Sequence, residues 1–193
     1  MSRLPPLPRA SLSGDQQEAH DDLLAKTQTA FGPNGSIVTY QNNQGALIGP
    51  YPFYLAVPGA GVSAFNHALA LAQLPLSPAV VEIAILTAGS QYQAAYQLYA
   101  HGKIGVHVGL SEIQVDSLKA GRKPEDLDER GSVAFDVALH LSTKPGVLPH
   151  SLWERSVEAL GRDETVALVH YVGFYAYMCI AMNAIDATVP ADA

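Results

Sequence analysis

The sequence predicts an all-α protein, and three observations carry that reading. No stretch alternates apolar and polar residues with period two for long enough to make a sheet. Ser13-Gly14-Asp15-Gln16 and Ser111-Glu112-Ile113-Gln114 have the form of capping boxes, and glycines stand where helices should end. Of the 193 residues, 48% are hydrophobic and only 15% charged. That is enough apolar surface for one buried core, with fewer charges than the usual ~25%.

Each element has its own signal. The capping box at Ser13 opens an amphipathic helix to about residue 30. Residues 31–58 carry Gly32, Pro33, Gly35, Gly45, Gly49, Pro50 and Pro52, and read as a long irregular arm with one helical turn. Loops of that length in a compact domain are often functional, so the arm is expected to lie over a neighbour or a pocket. Residues 59–73 form the next helix. Ser77-Pro78 then supplies a cap and an N1 proline for a helix over 78–88, which Gly89 should end. Ser90 and Gln93 suggest a capping box for a helix to about 107, with Gly109 past its end. The box at Ser111 opens a short helix closed by Gly121. Further helices are expected over 126–143 and, capped by Ser151 and Glu154, up to Gly161; the last spans about 163–187. The chain thus reads as a single domain, 1–193, with helix and arm in 1–58 and a helical core in 59–193.

Composition excludes several classes. The net charge is −7 and the 11 basic residues form no cluster, so nucleic acid is not an expected partner. One cysteine, Cys179, allows neither an internal disulfide nor a CxxC pair, which suits a cytoplasmic protein. The first twelve residues contain three prolines and no apolar run, unlike a secretory signal. Residues 166–185 have spanning length and no formal charge, but His170, Tyr171, Tyr175, Tyr177 and Asn183 interrupt them. A helix apolar on all sides also suits a core or a subunit interface, so the expectation is no membrane and a homo-oligomer.

Chemistry concentrates between residues 78 and 109. Glu82 sits in the otherwise apolar run Ala79-Val80-Val81-Glu82-Ile83-Ala84-Ile85-Leu86. Either it lies on one wet edge, or it is buried and must be paired, for which a histidine would serve. In the next helix Gln97 and His101 are i,i+4 and share a face. Tyr92, Tyr96 and Tyr99 form a stripe beside them, which is core, substrate wall or both. Asn66 and His67, on the preceding helix, are candidates for the same cavity or for a polar surface. His101 with a carboxylate in reach is a candidate general acid/base. The seven histidines show no H-x-x-x-H spacing, so no metal is expected. No Gly-x-Ser-x-Gly, phosphate loop or dinucleotide fingerprint occurs, and no cofactor is expected.

The stretch from Glu82 to Leu118, with likeness continuing through Ala134, Leu141, Val147 and 171–190, resembles the carboxymuconolactone decarboxylase / alkylhydroperoxidase D-like family. Its redox branch has a Glu, then CxxC, then a His four residues after the second Cys. Glu82 and His101 keep that spacing, but the cysteine positions fall on Ala94 and Gln97. The branch without cysteines shows a phrase like QYEW-x-x-H before a GLS turn. Here Ala95-Tyr96-Gln97-Leu98-Tyr99-Ala100-His101 precedes Gly109-Leu110-Ser111, with Gln97 in place of that Glu. The resemblance implies a bundle of helical hairpins, trimers or hexamers, and lyase or peroxidase activity. A thiol peroxidase needs an attacking and a resolving thiol, which Ala94 and Gln97 do not provide. The expected function is therefore a cofactor-free, decarboxylase-type lyase on a small oxygenated organic acid or lactone. His101, Glu82 and Gln97 would be catalytic, and Tyr92, Tyr96, Tyr99, Asn66 and His67 substrate-binding. The same parts would serve an isomerase, cyclase or dehydratase of natural-product biosynthesis, or a non-catalytic small-molecule-binding oligomer.

Overall fold

The computed structural model describes residues 2–190, and the described residues form helices with no strand beyond an isolated bridge between Gln41 and Leu47. A 3-10 turn at Arg9–Ser11 leads into α1 (Gly14–Phe31). There follow α2 (Tyr51–Ala56), α3 (Pro58–Leu71), α4 (Pro78–Tyr92), α5 (Ala95–His107) and α6 (Glu112–Lys119). The chain continues with α7 (Glu129–Thr143), α8 (His150–Leu160) and α9 (Arg162–Ile185). This is the all-α bundle expected, with one helical turn in the arm.

The order of the elements follows from burial. Every residue of α4 from Val80 to Gly89 is buried, and the helix packs against α5, α6, α7 and α9. A helix with no polar stripe must be surrounded, so α4 takes the centre. α9 is long and apolar enough to cross a membrane, but 56% of that apolar stretch is buried in the bundle. Its inward residues, among them Leu168, Val172, Met178 and Met182, complete the core.

Helix ends depart from expectation in four places. α4 does not stop at Gly89. It runs three residues further and ends on Gln93, which takes the left-handed conformation (φ 51°) while Ala94 N–H donates to Gly89 O. A Cβ on Gly89 would lie 3.2 Å from both Gln97 and Leu98, so this glycine lets α5 approach. Ser90 consequently sits inside α4, its hydroxyl donating to Thr87 O at 2.7 Å, and caps nothing. α7 starts late, because Asp128 is the residue whose carboxylate accepts from Gly131 N–H (2.8 Å). Pro149 precedes α8, which leaves Ser151 within the helix rather than at its cap. The Ser111 box forms as read: Gln114 N–H donates to Ser111 Oγ (3.1 Å) and Ser111 N–H to Gln114 Oε1 (2.9 Å).

The arm is irregular but stitched. Asn34 Oδ1 accepts from the backbone N–H groups of Tyr40 and Gln41, at 2.8 and 2.9 Å. Asn42 Oδ1 does the same for Gln44 and Ala46. Tyr40, Ala46 and Leu47 are buried, so the arm contributes core as well as cover.

Candidate active site

Glu82 and His101 meet across the α4–α5 hairpin. His101 Nδ1 lies 2.8 Å from Glu82 Oε2, with side chains only 12% and 7% exposed. An ionised carboxylate only accepts, so Nδ1 carries the proton and donates. With Nδ1 engaged in this way, Nε2 is the ring nitrogen left outside the pair. The Tyr175 ring stands nearly perpendicular to the imidazole, with centroids 4.9 Å apart, and holds its plane.

His101 opens onto a cavity of about 110 Å³. The arm supplies Val38, Tyr40, Pro50, Tyr51 and Tyr54 to its wall; α5 supplies Tyr96, Gln97, Ala100, His101 and Ile104. From α9 come Phe174, Tyr175, Met178 and Met182. The arm thus covers a pocket, one of its two expected roles. Gly49 makes the closure possible: its φ is +73°, and a Cβ there would overlap the Tyr96 ring.

Most phenols in this wall already have partners. Tyr51 Oη and Thr27 Oγ1 are 2.7 Å apart, and Tyr54 donates to Met178 Sδ (3.0 Å). Tyr40 donates to Gly32 O (2.8 Å), and Tyr96 to Thr39 O (3.0 Å). Burial pushes the Tyr51, Tyr54 and Tyr96 hydroxyls well above their ordinary value of 10. Tyr175 is raised too, by burial first and then by the Glu82 carboxylate. All four therefore stay protonated near neutrality. The Gln97 amide nitrogen is buried in the wall with no hydrogen-bond partner. The cavity lining therefore includes His101, Gln97 and Tyr175 among side chains that are otherwise apolar or already hydrogen-bonded.

The structure gathers some predicted site residues and separates others. Glu82, Gln97, His101 and Tyr96 converge. Tyr99 faces a groove between α5 and α6, with Lys103 Nζ 4.9 Å from its ring centroid. Tyr92 ends α4, outside the cavity wall, where its carbonyl accepts from Asn183 Nδ2 (2.7 Å). Asn66 is exposed and accepts from Lys26 Nζ (2.8 Å), while exposed His67 packs edge-on against Phe174. Neither is among the residues that line the cavity. Tyr175 is not singled out by the sequence; it is one of three tyrosines in α9, and spacing alone does not tell which of them meets His101.

The single thiol is buried and no dithiol accompanies it among the described residues. Ala94 and Gln97 occupy the positions where the redox pattern has cysteines, and Cys179 is fully buried. Burial pushes its thiol up to about 12. Among the described residues no three His, Cys, Asp or Glu side chains cluster as metal ligands would.

Comparison with known proteins supports the fold. No protein-family model matches the chain, and no curated protein matches it by sequence. Solved structures do. A peroxidase-related alkylhydroperoxidase D core from Ralstonia eutropha JMP134 superposes with a TM-score of 0.78 at 17% identity, over 99% of this chain and 93% of its own. The chain has the alkylhydroperoxidase D-like fold. The debrominase Bmp8, solved with 2,3,4-tribromopyrrole, shares this AhpD-like arrangement at a TM-score of 0.70 and 14% identity, over 97% and 91% of the two chains. At such identities the fold is what is shared.

Proposed function

We propose that the protein is a general acid–base enzyme that moves a proton to or from a carbon atom of a small oxygenated molecule, the step that a lyase and an isomerase share. The observation that carries this is the buried Glu82–His101 pair, with Nδ1 held at 2.8 Å and Nε2 left for the cavity. In decarboxylation, the carbon–carbon bond to the leaving CO2 breaks and its electron pair becomes an enolate. Protonated Nε2 then delivers a proton to carbon, and the neutral imidazole regains one from solvent after release. In isomerisation Nε2 takes the proton first and returns it elsewhere. Either path develops charge on oxygen, for which Gln97 and Tyr175 in the cavity lining supply candidate donors. A variant of the debrominase Bmp8, of the same fold, was solved with a single substituted ring, which is in keeping with a small molecule as the guest of such a fold.

The test is proton exchange at carbon. Small unsaturated lactones and cyclic enones are incubated with the protein in D2O and followed by proton NMR. Deuterium incorporation or conversion is expected, falling about 10²–10⁴-fold in His101→Ala. Conversion that persists in a folded His101→Ala protein would remove the proposal's central residue.

A further inference from the structure

We propose that the cavity takes one uncharged aromatic or conjugated ring bearing a single oxygen acceptor; this rests on the acid–base reading and names its substrate class. Size comes first. A cavity of about 150 Å³ lined by Leu, Ile and Phe holds benzene. The cavity here is about 110 Å³, so a single ring fits with slight side-chain adjustment and a fused bicycle does not. The wall is the second argument. Eight of the seventeen lining residues are Phe or Tyr, which offer ring edges and faces to a planar guest.

Charge is the third argument. Among the described residues no lysine or arginine lines the cavity, and His101, the potential cation in that lining, already faces the Glu82 carboxylate. A carboxylate or phosphate guest would lose its water and gain no uncommitted positive charge. Of the organic acid and the lactone that the sequence suggests, the cavity favours the neutral one. The fourth argument concerns the oxygen. The Gln97 amide nitrogen is buried and unpartnered, a state that costs free energy until an acceptor arrives. Gln97 and His101 are one turn apart on one face of α5, so an oxygen held by Gln97 sets a neighbouring ring carbon towards His101.

The experiment is calorimetric titration of the purified protein with phenol, benzoate, 2-naphthol and benzene at a pH where benzoate is ionised and phenol is not. Phenol is expected to bind, with benzoate and 2-naphthol at least tenfold weaker. Gln97→Leu should weaken phenol about tenfold, the worth of one hydrogen bond, and leave benzene unchanged. Ala100→Leu, which fills the cavity, should abolish phenol binding, and Ala68→Leu on α3 repeats the test should the first variant fold poorly. The inference is overturned if benzoate binds as tightly as phenol, or if phenol fails to bind at millimolar concentration. It is equally overturned if phenol binding ignores Gln97→Leu or ignores both filling variants. These titrations involve no turnover. Phenol-selective binding beside conversion that survives in His101→Ala would sink the acid–base reading alone. His101-dependent conversion of an anionic substrate, with benzoate bound as tightly as phenol, would sink this one alone.

Discussion

Glu82 and His101 are nineteen residues apart and each lies in a helix with little room for charge. Their pairing was legible in the sequence because a carboxylate in an apolar run needs a partner, and His101 shares an α5 face with Gln97. Glu82→Gln keeps the size and an acceptor but loses the charge that steadies the imidazolium. It should reduce turnover less than His101→Ala, with thermal unfolding close to the parent. Glu82→Leu leaves Nδ1–H buried without an acceptor and should cost about 1–3 kcal/mol in denaturant unfolding. Cys179 offers a check on burial. Its thiol is raised from 9.0 to about 12, so the folded state holds that proton more tightly than the unfolded chain does. The stability this contributes is whole below pH 9 and is lost as pH rises towards 12. The native protein should resist iodoacetamide at neutral pH and react once unfolded; rapid native alkylation would contradict the packing. What the sequence did not disclose was the fate of Tyr92, Tyr99, Asn66 and His67. Helical spacing gives the face of a residue, but the neighbouring element decides whether that face meets a cavity, a groove or water.

At the scale of elements, caps with side-chain chemistry were readable and backbone devices were not. Ser111 and Gln114 close their box as the pattern suggests. Gly89 reads as a helix terminator, yet serves close packing, while Gln93 takes the left-handed cap without a glycine's freedom. The arm shows the same division: its prolines and glycines mark a loop, but only the fold shows Asn34 and Asn42 holding it shut. Asn34→Ala removes the acceptor of two backbone N–H groups that water can partly serve, and should destabilise the protein by about 1 kcal/mol in chemical denaturation. Gly49→Ala should do worse, since it combines a positive φ with overlap on Tyr96. Unaltered melting of Gly49→Ala would mean that the arm does not rest on that ring.

At the scale of the whole molecule, α9 keeps an apolar outer stripe after its core face is buried. Val166, Val169, Tyr177 and Ile180 remain 43%, 38%, 41% and 56% exposed. With few charges on the surface, a second copy of the chain is the expected cover, and Ile180→Glu together with Val169→Glu should shift the protein towards monomer. Light scattering that gave a monomer for the parent at micromolar concentration would oppose this. Composition suggests assembly, but which side of α9 stays outside depends on how the hairpins pack. The division of labour around the cavity has a further consequence. The Glu82–His101 pair belongs to the α4–α5 hairpin, whereas part of the wall comes from the arm, a segment stitched by short polar side chains. On the acid–base reading proposed above, replacing that segment would exchange the guest and keep the reaction. A lineage could diversify its substrates by editing residues 31–58 alone, and an engineer could graft the arm of one AhpD-like protein onto another to transfer its selectivity.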